Sequence, residues 1–271
     1  MSPPDSRMPV DSVCVVQLTD SHIFADPDAR LLGLDTLASF NAVIDQALAE
    51  CPEIDLVLAT GDITQDGSSA AYQRFIDARA RIPAPCYWIP GNHDNAARMA
   101  EVGAAHGLSQ PWVDAGAWRI VLLDSSQPGQ VAGYLDDTQL AQLDAALASA
   151  GSRYVLICLH HHPVPIGSDW MEPIGLRNPD ALFARLDADL RVRAVLWGHI
   201  HQCLDQQRGP MRLLATPSTC VQFAVNSEDF ATTTESPGYR WLRLHADGRI
   251  ETATPRLPVG SFVPDPEASG Y

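Results

Sequence analysis

Gly91-Asn92-His93-Asp94 follows the apolar run Cys86-Tyr87-Trp88-Ile89 and then Pro90. The run reads as a short buried strand, and Pro90 ends it, because proline cannot donate to a central ladder. An amide, an imidazole and a carboxylate then occupy three successive positions. Taken alone, the tetrapeptide reads equally well as a polar turn, since Gly and Asn are common turn residues. The rest of the chain decides between the two readings.

Working outward, four more apolar runs end in the same kind of block. Val13 to Leu18 leads to Thr19-Asp20-Ser21-His22, and Ile54 to Ala59 leads to Thr60-Gly61-Asp62. Tyr154 to Leu159 leads to His160-His161-His162-Pro163, and Arg193 to Trp197 leads to Gly198-His199-Ile200-His201. Near-continuous apolar runs mark strands buried on both faces.

Helical patterns lie between the strands. Asp35 caps a helix to about Glu50, and further helices run over Ser68–Arg81 and Asn95–Val102. Asp136 with Gln139 forms a capping box, and Asn178-Pro179 starts another helix with Asn178 as its cap. Trp118–Leu123 is a strand ending at Asp124. Beyond about residue 205 strands dominate: Met211–Ala215, Tyr239–His245 and Arg249–Ala253, the last two joined by a hairpin turn at Ala246-Asp247-Gly248. This order predicts an α/β domain with a mixed sheet or two packed sheets. The domain spans 12–254, between a polar tail at 1–11 and a Pro- and Gly-rich tail at 255–271.

The chain has 271 residues, enough for one large domain. Its formal net charge of −15, with no basic run, excludes a general nucleic-acid binder. It has no apolar run long enough for a membrane span and no signal-peptide pattern at the start. The six cysteines form no C-x-x-C pair and read as reduced thiols. A cytoplasmic protein with no membrane partner is expected, and nothing in the sequence sets its oligomeric state.

Seven of the nine histidines fall in the strand-end blocks. Ligands of α/β sheets bind beyond the carboxyl ends of strands, and five such blocks together point to a metal site. Nitrogen and oxygen donors without thiolate suit Mn, Fe or Zn. Asp20, His22, Asp62, Asn92, His160, His199 and His201 are too many ligands for one tetrahedral ion. They suit two ions sharing a bridging carboxylate, the usual clamp for displacement at phosphorus. A spacing of two puts His199 and His201, and likewise Asp20 and His22, on one side of an extended segment. Asp20 and Asp62 against two divalent ions leave a net positive centre, which an acidic protein needs for a phosphate ester. Coordination also lowers the pKa of bound water toward neutrality.

His93 sits beside a candidate ligand, and Asp94 can hold its ring and raise its basicity, as suits a general acid. In the long loop 163–178, Trp170 and Met171 can pack against a purine, and Arg177 or Asn178 can reach phosphate or base. The same residues can instead anchor the loop and cap the following helix.

The blocks D-x-H, G-D, G-N-H-D, H and G-H-x-H, in this order over residues 13–204, resemble the signature of the calcineurin-like metallophosphoesterases. The resemblance implies an α/β fold, a four-layer α/β/β/α sandwich of two mixed sheets flanked by helices. It implies one ion on Asp20, His22, Asp62 and His201 and another on Asp62, Asn92, His160 and His199, with Asp62 bridging. His161 replaces His160 if the register slips by one. Asn92, His93 and His201 then also face the substrate, and His93 protonates the leaving alkoxide. Longer stretches resemble the bacterial class III cyclic-nucleotide phosphodiesterases: Thr60 to Asp66, His160 to Pro165, Leu176 to Asn178, Gly198 to Gln202 and Leu214 to Phe223. That resemblance implies hydrolysis of 3′,5′-cyclic AMP to 5′-AMP by a metal-bound hydroxide. A broader phosphodiesterase or phosphomonoesterase and a non-catalytic scaffold are the alternatives on the same fold.

Overall fold

The computed structural model describes residues 12–51, 53–265 and 267–268. The expected tail over 1–11 lies outside the described residues. β1 (Ser12–Leu18) pairs in parallel with β2 (Leu56–Thr60), and β2 with β3 (Cys86–Ile89). On the other side of β1, β10 (Arg240–His245) runs antiparallel, followed by β11 (Ile250–Ala253). The second sheet has the order β4 (Trp112–Ala115), β5 (Trp118–Leu122), β6 (Tyr154–Cys158), β7 (Val192–Trp197), β9 (Met211–Ala215) and β8 (Leu204–Arg208). Its four inner strands are parallel and its two edges antiparallel.

Strand alternation builds three apolar interfaces. Val16, Leu18, Val57 and Ala59 pack with Phe40 and Ile44 of α1 (Thr36–Glu50) and Tyr72 and Phe75 of α2 (Ser69–Arg79). Met99 of α3 (Ala96–Gly103) joins the same cluster. The alternate residues Val13, Val15, Leu56 and Leu58 meet Ile120, Leu122, Leu156 and Leu196 of the facing sheet. Val155, Ile157, Val195 and Trp197 turn the other way, toward Leu143 and Leu147 of α4 (Asp137–Ser149) and Leu182 and Phe183 of α5 (Pro179–Leu186). This is the expected four-layer α/β/β/α sandwich. Burial on both faces explains why the central strands carry unbroken apolar runs. The five chemistry-bearing blocks therefore do not share one sheet. β1, β2 and β3 bring three of them, and β6 and β7 bring two from the opposing sheet.

Local expectations hold in part. Asp35, Ser68, Asn95 and Asp136 each accept a hydrogen bond from the third residue onward, as N-caps do. Gln139 does not close a capping box, since its Oε1 accepts from Asp124 N at 2.9 Å. Asn178 makes no capping bond. Edge strands β4 and β8 escaped the sequence reading because Leu204–Arg208 is mostly exposed and lacks apolar alternation; the ladder to β9 supports it. Of the tail expected over 255–271, the described residues make contacts with the domain. Leu257 is buried, Phe262 packs against the cores beneath both helical layers, and Asp265 N donates to Leu32 O at 2.9 Å. Among the described residues no helix is long and apolar enough to cross a membrane.

Candidate metal centre

The strands deliver their blocks through sharp turns. Asp20, His22, Asp62, His199 and His201 all have positive φ, between 45° and 66°. Left-handed backbone costs a non-glycine residue roughly 1–2 kcal/mol, and five of the eight such residues described are candidate ligands. Strain is thus concentrated where the donors converge. This corrects the expectation of extended segments with side chains two apart on one side. The kinked backbone instead sends His201 to Asp20 and His22, and sends His199 to His160. Gly91 serves a close approach rather than a left-handed turn: a Cβ there would lie 2.2 Å from Asp62 Oδ1.

Hydrogen bonds fix the tautomers of the imidazoles. His22 Nδ1 lies 2.6 Å from Gln65 Oε1, and His201 Nδ1 lies 2.8 Å from Val221 O. These oxygens only accept, so each Nδ1 carries the proton and each Nε2 presents a lone pair. The two Nε2 atoms face each other at 3.3 Å, with Asp20 Oδ1 3.4 Å from that of His201. In the second group, His160 Nδ1 donates to Thr60 O at 2.9 Å. His160 Nε2 faces Asn92 Oδ1 and Asp62 Oδ2, both at 3.3 Å. His199 Nε2 donates to Ile174 O at 3.1 Å, which leaves Nδ1 for the site.

Asp62 lies between the groups. Its Oδ2 is 3.8 Å from His22 Nε2 and has no hydrogen-bond donor, while Oδ1 accepts from His93 N at 2.9 Å. Buried acceptors aimed at one another repel unless a cation lies among them. The residues present therefore fit a metal centre with two donor groups and a shared carboxylate.

The protonation states agree. Burial pushes His22 down to about 3. Burial and the crowding imidazoles of His161, His160 and His162 hold His199 well below its usual value. Burial alone would raise Asp62, but the imidazoles of His160 and His93 bring it well below the carboxylate range. Neutral imidazole and ionised carboxylate are the ligating forms. His160 is the exception: burial works against its charge, yet Asp62 outweighs burial and raises it to about 9. That negative field is the one a cation would meet.

The geometry separates His160 from His161. His161 Nδ1 lies 2.8 Å from Ser125 Oγ, and its Nε2 donates to Val131 O at 2.9 Å. Ser125 Oγ also accepts from the His160 and His161 amides. Both nitrogens of His161 thus secure a loop, and His160 stays the ligand candidate. Asp94 differs from expectation. Its Oδ1 accepts from Thr64 N and Tyr72 Oη, and its Oδ2 from Ile63 N and Gly91 N. It clamps the turn after β2 to the turn after β3. His93, partly exposed, stands edge-on to His22 with ring centres 4.9 Å apart.

The proposed substrate contacts part company. Asn178 exchanges two bonds with the Leu135 main chain, and Arg177 is exposed with its amide on Gly133 O. These two tie their loop to residues 133–135. Met171 is buried in the core. Trp170 lies instead beside Phe223, whose ring stacks flat on His201 at 4.1 Å. Gln65, Ser125 and Phe223 touch the candidate ligands His22, His160 and His201 without having been singled out for it. The carbonyls of Thr60, Ile174 and Val221 accept from His160, His199 and His201, and a carbonyl leaves no trace in side-chain pattern.

Comparison with known proteins agrees with this geometry. The profile of the calcineurin-like phosphoesterase family matches residues 15–203. The chain is similar to a Pseudomonas aeruginosa protein named 3′,5′-cyclic adenosine monophosphate phosphodiesterase, 55% identical over 96% of each chain. It is 44% identical to the Escherichia coli (strain K12) protein of the same name, over 96% of this chain and 95% of that one. A dimetal phosphatase from Danio rerio shares the fold, with a TM-score of 0.63 at 17% identity over 89% of this chain and 98% of that one.

Proposed function

Because the chain belongs to the calcineurin-like phosphoesterase family, we propose that it hydrolyses 3′,5′-cyclic AMP to 5′-AMP at this centre. The observation that carries the reading is the placing of Asp62 Oδ2, without a hydrogen-bond donor, between Nε2 of His22 and Nε2 of His160. Two relatives named for this activity match nearly the whole chain.

Asp20, His22, Asp62 and His201 would hold one ion, and Asp62, Asn92, His160 and His199 the other. Mn, Fe and Zn suit these donors. Bound there, the pair supplies Lewis acidity toward phosphate oxygens and a water acidified to neutrality. The remaining work belongs to side chains. With ions held there, the donor set would offer a phosphate a local positive centre within an acidic chain. His93, beside the first donor group and partly open to solvent, holds a proton at its ring and passes it to the departing 3′ oxygen. Asp94 acts through main chain, holding the Gly91 turn that presents Asn92 and His93. Six free cysteines among the described residues suit a reducing, cytoplasmic setting.

Hydrolysis of a nucleotide and diester panel by metal-reconstituted protein, with product identification, tests the reading. Formation of 5′-AMP from 3′,5′-cyclic AMP supports it. Turnover of other esters with cyclic AMP untouched would overturn it.

A further inference from the structure

The two loops flanking the centre on the His201 side carry aromatic rings that the metal chemistry does not use. Residues 222–233 form a tight hairpin, with Thr233 N donating to Gln222 O and Ala224 N to Ala231 O. The hairpin leans on the loop after β6: Asp169 N donates to Ser227 O, and Trp170 Nε1 to Ser227 Oγ at 3.2 Å. Rings continue outward from the ligand cluster. Phe223 lies flat on His201 at 4.1 Å, Phe230 stands edge-on to Phe223 at 5.5 Å, and Trp170 stands edge-on to Phe230 at 5.2 Å. Phe230 is 42% exposed.

Charge says what suits this wall. Neither 163–176 nor 222–233 contains Lys or Arg, and their charges are Asp169, Glu172, Glu228 and Asp229. Such a wall repels phosphate. It accepts a flat, uncharged ring whose amino hydrogens can face carboxylates. Resting on the phosphodiesterase reading, we propose that Phe230, with Trp170 beside it, is the platform on which the nucleobase stacks while the phosphate lies at the metal centre. The strand-rich end of the chain then supplies base recognition, and the ligand blocks supply the chemistry. Stacking of a base on an aromatic face changes affinity by roughly tenfold or more, and it acts through KM because the base is remote from the bond that breaks.

The test compares cyclic AMP with ribose 3′,5′-cyclic phosphate lacking a base, using metal-loaded protein. Phe230→Ala should lower the ratio of the two kcat/KM values about tenfold, through KM for cyclic AMP, and Phe230→Trp should keep the ratio. If Phe230→Ala does not fold, Phe230→Leu, which keeps bulk but has no ring, is read in the same way. An unchanged ratio in a folded ringless variant overturns the platform and leaves the phosphodiesterase reading intact. Wild-type protein inert toward cyclic AMP overturns both.

Discussion

Gln17 Nε2, on β1 of one sheet, donates to the carbonyl of Trp197, on β7 of the other, at 3.2 Å. Its amide also donates to Thr60 Oγ1 and accepts from Thr216 Oγ1, and Arg240 Nε donates to Thr216 Oγ1 in turn. Gln17 is fully buried at an otherwise apolar inter-sheet position. Trp197 and Thr60 immediately precede Gly198-His199 and Gly61-Asp62. The tie therefore fixes how far apart the two sheets hold their donors.

Gln17→Leu keeps the volume, removes the donor to Thr60 Oγ1 and leaves the Thr216 hydroxyl proton without its acceptor, with only Arg240 still bonded to that oxygen. The expected cost is about 1–3 kcal/mol of stability, read from denaturant unfolding. Metal affinity should fall by roughly 10–100-fold, as when a support behind a ligand is lost. An unaltered metal titration in the folded variant would show that the sheets keep their spacing without this bond.

His160 and His161 should behave differently. His160→Ala should cost one of two metal equivalents in elemental analysis. His161→Ala should keep both while lowering the melting temperature, because two buried bonds worth about 1 kcal/mol each disappear. The reverse pattern would move the ligand by one residue.

His93→Ala should leave metal content unchanged and reduce kcat by roughly 10²–10⁴, the usual worth of a positioned general acid. The loss should shrink for an ester whose leaving group needs no proton, such as a nitrophenyl ester. Equal losses on both substrates would falsify proton donation.

Metal removal by a chelator should destabilise the protein by several kcal/mol at most, since ligand bound only to the folded state adds about 2.7 kcal/mol when present at 100 times its Kd. Asp62→Asn should weaken both ions at once, because Asp62 Oδ2 is the atom near both donor groups. A melting temperature insensitive to chelation in a demonstrably loaded sample would be inconsistent with a centre that ties the two sheets.

Much of this could be read before any tertiary structure. Apolar runs buried on both faces, each followed by Asp, Asn or His, identified the strands and the donors, because the chemistry of metal ligation restricts residue type and the strand end restricts place. Helix caps at Asp35 and Asp136 followed from local hydrogen bonding, whereas Ser68 and Asn95, read as first helical residues, are the caps of their helices. Tertiary structure alone decided which nitrogen of each imidazole faces the centre, because carbonyls of distant residues set the tautomers. It alone turned Asp94 and Asn178 from expected site groups into loop clamps. It also brought Phe223 onto His201 and Phe230 beside Trp170, contacts between segments far apart in the chain. A sequence states which donors exist; their aim depends on left-handed turns and on an inter-sheet distance that packing fixes.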